Sequence, residues 1–249
     1  HGYGKLCYSG DKNILTLESD WNNDLPSGTS KIIYSDGSIY TGTIVYMDNK
    51  PLPNGTGKIS FSDNSEYLEL YPNFGHNTFE NTLNYKNGNK FTGNIDLEYN
   101  ECPIFTGKGL FSYSDKNEIY ESVESEWKID KPIGKSNIKF RNGNFYSGEI
   151  KWENNEPIMN GKGIFESPTE SYEGNYQNNI KNGYGITTFK VNSVKYTGNY
   201  ETGSMSGYGE LYTFLKDLKN KFIPSFPILI KSIWKNNKPF SETMYQVNN

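Results

Sequence analysis

Lys195-Tyr196-Thr197-Gly198-Asn199-Tyr200-Glu201-Thr202-Gly203-Ser204-Met205-Ser206-Gly207-Tyr208-Gly209-Glu210-Leu211-Tyr212 reads as one complete β-hairpin. Successive side chains of an extended strand point to opposite faces, so Tyr196, Gly198 and Tyr200 share one face of the first half. Residues 201–206 read as the turn, and Gly207-Tyr208-Gly209-Glu210-Leu211-Tyr212 as the returning strand. The alternate glycines have a packing meaning. A strand glycine leaves a flat patch of backbone, and an aromatic ring from the adjacent strand can lie on it. An isolated hairpin of this kind is only marginally stable and needs neighbours on both sides.

Those neighbours are written along the chain. Gly-x-Gly pairs begin at Gly2, Gly55, Gly107, Gly161, Gly183 and Gly207, with single glycines in phase at Gly28 and Gly134. One copy is missing, at Phe79-Glu80-Asn81, where both glycines are replaced. An aromatic-x-Gly series runs in step as Tyr40-Thr41-Gly42, Phe91-Thr92-Gly93, Tyr146-Ser147-Gly148, Tyr172-Glu173-Gly174 and Tyr196-Thr197-Gly198. Tyr67 and Tyr120 head eroded members. Three further aromatic-x-x-Gly turns, Tyr34 to Gly37, Tyr85 to Gly88 and Phe140 to Gly143, precede members of that series. The Asn-Gly pairs Asn87-Gly88, Asn142-Gly143 and Asn182-Gly183 suit the positive φ of tight turns.

A longer period lies over the short one. Segment 28–57 aligns with 134–163 at an offset of 106 (134 − 28), which sets Tyr40 against Tyr146, Tyr46 against Trp152 and Pro51 against Pro157. Trp21-Asn22-Asn23-Asp24-Leu25-Pro26 returns as Trp127-Lys128-Ile129-Asp130-Lys131-Pro132 and again as Trp234-Lys235-Asn236-Asn237-Lys238-Pro239. The chain is a block of four short repeats used about twice. His1-Gly2-Tyr3-Gly4 reads as the second half of a repeat.

Composition agrees. Among 249 residues there are 20 Tyr, 14 Phe and 25 Gly, no Ala and a single Arg, Arg141. Helix propensity is poor, and the aromatic and β-branched residues favour a pleated surface. The net charge of −4 and the near absence of arginine exclude a nucleic-acid binder, which would present a basic stripe. They also argue against a purely electrostatic attraction to anionic lipid. Cys7 and Cys102 are too few for a disulfide framework and are expected as unpaired packing residues in a reducing compartment.

No catalytic constellation stands out. His1 and His76 are the only histidines and have no metal-ligand spacing to Cys or Asp, so no metal or cofactor is expected. His76 reads as a turn residue. The recurrent Gly-x-Gly lacks the following helix and acidic residue of a dinucleotide fingerprint. Glu124, Glu126 and Asp130, near Trp127, read as carboxylates on a solvated strand face.

The in-phase copies resemble the MORN (membrane occupation and recognition nexus) repeat, whose pattern is close to Tyr-x-Gly-x-Trp/Tyr, then Gly, then Gly-x-Gly. Tyr196, Gly198, Tyr200, Gly203, Gly207 and Gly209 match in full, and Tyr172, Gly174, Tyr176, Gly183 and Gly185 almost as well. The copies at Tyr40, Phe91 and Tyr146 carry two extra residues after the glycine. The resemblance implies an all-β fold, an elongated single-layer antiparallel sheet of tandem hairpins with an aromatic groove. It also implies a non-enzymatic scaffold in the cytoplasm, at the cytoskeleton or membrane, holding a peptide or helix of a partner protein.

The expectations are therefore one array over 1–249 of eight or nine repeats, with an insertion at 213–229. Leu215, Leu218 and Phe222 within that insertion suggest a short capping helix over 213–221. The groove residues are Tyr40, Tyr46, Phe91, Tyr146, Trp152, Tyr172, Tyr176, Tyr196 and Tyr200. A single layer has no second sheet to cover it, so some of these rings should remain exposed to a partner. Two other readings compete: a phospholipid-recognition module with peripheral membrane contact, and the regulatory repeat region of a larger enzyme. A homodimer is compatible with all three.

Overall fold

The computed structural model describes residues 1–74, 81–96, 103–215, 226–240 and 244–247. His76 and Cys102 lie outside them. The chain divides into two compact units, His1–Lys131 and Pro132–Asn249. Among the described residues there are strands and turns and no helix.

The first unit contains β1 (Gly2–Cys7), β2 (Ile14–Asn22), β3 (Leu25–Tyr34), β4 (Ile39–Met47), β5 (Lys50–Ser60), β6 (Tyr67–Tyr71), β7 (Asn73–Phe74), β8 (Asn81–Tyr85), β9 (Lys90–Asp96), β10 (Ile104–Ser112) and β11 (Tyr120–Lys128). β1 to β5 pair antiparallel in chain order. β5 then pairs with both β6 and the short β7, and β6 with β8, after which the order β8, β9, β10, β11 resumes. The irregular stretch falls on the copy whose glycines are replaced.

The second unit contains β12 (Lys131–Phe140), β13 (Phe145–Glu153), β14 (Glu156–Glu166), β15 (Glu170–Gln177), β16 (Ile180–Phe189), β17 (Val194–Glu201), β18 (Ser204–Leu215), β19 (Phe226–Lys235), β20 (Lys238–Pro239) and β21 (Met244–Val247). Each strand from β12 to β19 pairs with the next, and β19 also pairs with β20 and β21. Each unit is thus a single antiparallel layer of successive hairpins.

Local chemistry sets this geometry. Two-residue turns with positive φ at both positions recur at Asn23-Asp24, Asp48-Asn49, Asn154-Asn155, Asn178-Asn179 and Asn236-Asn237. Asn and Asp tolerate that backbone, and its twist matches that of the flanking strands. The wider turns close as the aromatic-x-x-Gly series anticipates: the amide of Gly88 donates to the carbonyl of Tyr85 at 3.0 Å, and that of Gly143 to Phe140 at 3.0 Å.

Four sequence expectations are corrected. The hairpin after Tyr200 turns at Thr202-Gly203, both at positive φ, and β18 already begins at Ser204. A two-residue turn closes the hairpin sooner than the six-residue turn read from sequence. Asn182-Gly183 is no turn. It lies inside β16, where Gly174 faces Gly185 but Tyr176 faces Lys181, so two extra residues are absorbed in a bulge around Gly183 (φ 78). The first three residues of the expected helix continue β18, where Thr213 faces Ile228 and Phe214 faces Pro227. Pairing with β19 outweighs the helical spacing there, and residues 216–221 fall outside the described residues. Cys7, opposite Thr16 at the last position of β1, is an exposed free thiol and not a packing residue.

Candidate functional site

The site builds from the glycine pairs. Gly42 faces Gly57, Gly148 faces Gly163, Gly174 faces Gly185 and Gly198 faces Gly209 across adjacent strands. Over each pair lies the ring of the tyrosine two residues before the first glycine. A Cβ on Gly174 would stand 2.7 Å from the Cα of Gly185 and 2.6 Å from Cζ of Tyr172. The same placement holds for Tyr40, Tyr146 and Tyr196, and Phe91 does the same over Gly93 and Gly109. No side chain fits beneath such a ring, which is the physical content of the double glycine.

A hydrogen bond fixes each tyrosine ring. The hydroxyls of Tyr40, Tyr146, Tyr172 and Tyr196 donate to the carbonyls of Thr43, Glu149, Asn175 and Asn199, at 2.7, 2.7, 3.0 and 3.2 Å. The acceptor is always three residues on, beside the bulge that turns that carbonyl toward the ring. Burial pushes the phenol of Tyr172 up to about 12, offset in part by the backbone contact with Asn175. Burial likewise raises Tyr196 to about 12.

The second tyrosine of each repeat fills the gaps edge-on. Tyr146, Tyr176, Tyr172, Tyr200, Tyr196 and Trp234 form one continuous series of T-shaped contacts, with centroids 5.1 to 5.4 Å apart. Edge-to-face contact places positive ring edges on negative ring faces, at the separations such pairs prefer. Lys181 closes the series from above. Its Nζ lies 4.8 Å from the ring centre of Tyr172 and 5.8 Å from that of Tyr200, and it is tied to Glu170 at 3.0 Å. In the first unit Phe91 and Phe105 stack 3.7 Å apart, with Trp127 edge-on to both.

This packing places the nine aromatics expected in the groove. Tyr40, Phe91, Tyr146, Tyr172 and Tyr196 are 0% exposed, and Tyr176 and Tyr200 are 6% and 4% exposed. Tyr46 and Trp152 remain half-buried. Each stands near the tip of one of the longer hairpins, β4–β5 and β13–β14. Around Tyr46 the ring face carries Ile44, Pro51 and Pro53, and around Trp152 it carries Ile150, Pro157 and Met159. Tyr46 also touches Trp21 edge-on at 6.2 Å. The opposite face is solvated, with Tyr184 and Tyr208 exposed on it. Glu124, Glu126 and Asp130 are exposed, Glu124 and Glu126 alternating with the buried Val123, Ser125 and Trp127. The backbone amide of Phe105 donates to the Asp130 carboxylate at 2.6 Å.

Sequence reading missed two contributors. Lys181 is the cover of the ring series, and a lone lysine gives no signal of that. The indole N–H groups of Trp21, Trp127 and Trp234 donate to the carbonyls of Gly4, Gly109 and Gly209, at 3.2, 3.0 and 3.1 Å. The Trp spacing and the Gly-x-Gly spacing carried that pairing in the sequence, but only the register joined them.

Among the described residues no group of three or more His, Cys, Asp and Glu gathers as a metal site would require. No curated protein matches the sequence. Residues 172–194, which hold Tyr172, its glycine pair Gly174 and Gly185, and the bulge at Gly183, match the family model of the MORN repeat, a repeat module that generally carries no catalytic machinery. The chain thus contains a MORN repeat at 172–194, and hairpins with the same facing glycines under a ring recur in both halves.

Proposed function

We propose that this protein is a non-enzymatic scaffold whose ring face holds a peptide or tail segment of a partner protein. The half-buried apolar tips of the two longer hairpins carry this reading. Tyr46 with Ile44 and Pro53 in one unit, and Trp152 with Ile150 and Met159 in the other, stand at positions 106 apart in the sequence. Aromatic anchors that stay partly open beside aliphatic neighbours are what an interface uses to gain affinity. The fully buried tyrosines are the rigid floor under them. The resemblance to the family supports a place in the cytoplasm, at the cytoskeleton or the membrane.

The test replaces Tyr46 and Trp152 with Ser together and compares proteins cross-linked to the wild-type and altered chains in the native cell. The expected outcome is a partner held by the wild type and lost by the double variant, at unchanged secondary structure. Partners retained equally by both would overturn the reading. Binding of the unaltered chain to anionic vesicles at low salt, abolished by the double variant, would favour lipid recognition instead.

A further inference from the structure

The second aromatic of a repeat faces one residue across its hairpin, and that residue is nearly always apolar. Tyr46 faces Pro51, Trp152 faces Pro157 and Tyr200 faces Met205. Trp21 and Trp234 face Pro26 and Pro239 in the same way. Tyr176 faces a charged residue instead, Lys181. A second departure accompanies it. Two residues before the ring that lies on a glycine pair stand Ser38, Asn89, Asn144 and Val194, all neutral, but Glu170 before Tyr172.

The two departures meet. Lys181 Nζ lies 3.0 Å from Glu170 Oε1, 4.8 Å from the ring centre of Tyr172 and 5.8 Å from that of Tyr200. Both ring distances lie within the range over which an aromatic face attracts a cation. The walls are fixed. The Tyr172 hydroxyl donates to the Asn175 carbonyl, that of Tyr200 pairs with Thr187, and the carbonyl of Glu170 accepts from the amide of Ser167 at 2.8 Å. The ammonium, by contrast, rides on a flexible four-carbon stem. The side chains of Lys181 and Glu170 keep 19% and 27% of their surface in solvent, so the cradle is reached from outside. An ion pair that touches water holds its partners less firmly than a buried one.

We propose that Tyr172, Tyr200 and Glu170 form a binding site for a primary ammonium, the side-chain head of a lysine on a partner polypeptide, and that Lys181 is its tethered occupant. Covering the ring needs only an apolar residue, as Met205 shows one repeat on, so the fold does not call for a cation and a carboxylate here. The carboxylate accepts an N–H, which a lysine ammonium donates and a quaternary headgroup lacks. A tethered cation acts at an effective concentration on the order of millimolar, so a free amine displaces it only near that level. A partner lysine delivered by neighbouring contacts has the same advantage and exchanges with Lys181. The site is separate from Tyr46 and Trp152. Because the amine alone tests it, its failure and the failure of partner binding at those tips are told apart.

The probe is Nα-acetyl-lysine amide, titrated at constant ionic strength against the full chain and followed by the carbon–proton spectrum of the tyrosine rings. Lys181→Ser should bind it saturably, with shifts at Tyr172 and Tyr200 and none at Tyr40. Adding Glu170→Gln should weaken that binding about tenfold or more, as loss of a charged hydrogen-bond partner does. The wild type should saturate at about tenfold higher concentration, because Lys181 competes. Lys181→Met, which copies the neighbouring repeat, should keep the Tm and bind none. Norleucine amide, the stem without the ammonium, should not bind, and the trimethylated lysine amide should bind more weakly than lysine. Where Lys181→Ser does not fold, the wild type and its Glu170→Gln variant make the same comparison. Absence of saturable binding, indifference to Glu170→Gln, or norleucine binding equal to lysine overturns the proposal. So does saturation of Lys181→Ser with none of the wild type, which makes Lys181 a fixed part of the fold. Tighter binding of the trimethylated form also overturns it, because that gives the cradle to a quaternary headgroup.

Discussion

The hydroxyls of Thr187 on β16 and Tyr200 on β17 stand 2.6 Å apart, both buried, at the centre of the edge-to-face ring series. A buried hydroxyl that loses its partner costs about 1–3 kcal/mol, whereas removing both partners is far cheaper. Thr187→Val and Tyr200→Phe should each destabilise the fold by an amount in that range. The double variant should recover part of the loss, and a double-mutant cycle from urea unfolding measures the coupling. Strict additivity would show that the two groups do not depend on each other.

The ring of Tyr172 on Gly185 makes a sharper steric prediction. A Cβ there would stand 2.6 Å from Cζ of Tyr172, and the ring is held by its hydrogen bond to Asn175. Gly185→Ala should cost about 1–3 kcal/mol, the usual penalty of overfilling a packed site. Calorimetry should show a lower Tm. An unchanged Tm would mean that the ring can move aside.

Ile129 follows β11 with φ at 49, although a β-branched residue strongly disfavours that region. The equivalent places after Trp21 and Trp234 hold Asn23 and Asn236. Ile129 is 67% exposed, so its side chain contributes little packing. Ile129→Asn should stabilise the protein by roughly 1 kcal/mol through relief of that strain. A variant no more stable than the parent in chemical denaturation would refute it.

Alkaline pH should dissolve the ring series. Burial holds Tyr172 and Tyr196 up to about 12, and it raises Tyr85, Tyr146, Tyr176 and Tyr200 as well. In the unfolded chain these phenols ionise near pH 10. The folded state therefore keeps protons that the unfolded state releases. Stability is intact below about pH 10 and falls as pH climbs toward the folded values. Urea midpoints should be similar at about pH 8 and about pH 9, and clearly lower at about pH 11. Tyrosinate absorbance should rise together with unfolding; a gradual rise with the sheet intact would show that the rings are open to solvent.

The sequence by itself determined the hairpin period, the residues that share a face and the positions that must be glycine. It could do so because strand alternation, positive φ at turns and the room beneath a ring are properties of a few neighbouring residues. Tyr196, Gly198 and Tyr200 on one face, and the turns ending at Gly88 and Gly143, follow from that alone. Only the tertiary structure decided how far each ring is closed off. Tyr172 is hidden by Tyr176, Tyr200 and Lys181, which come from two other strands and from its own, and whose distances depend on the bulge at Gly183. The same holds for residues 213–215, whose helical spacing yielded to pairing with β19. Local pattern fixes which way a side chain points; what covers it is supplied by strands distant in the chain.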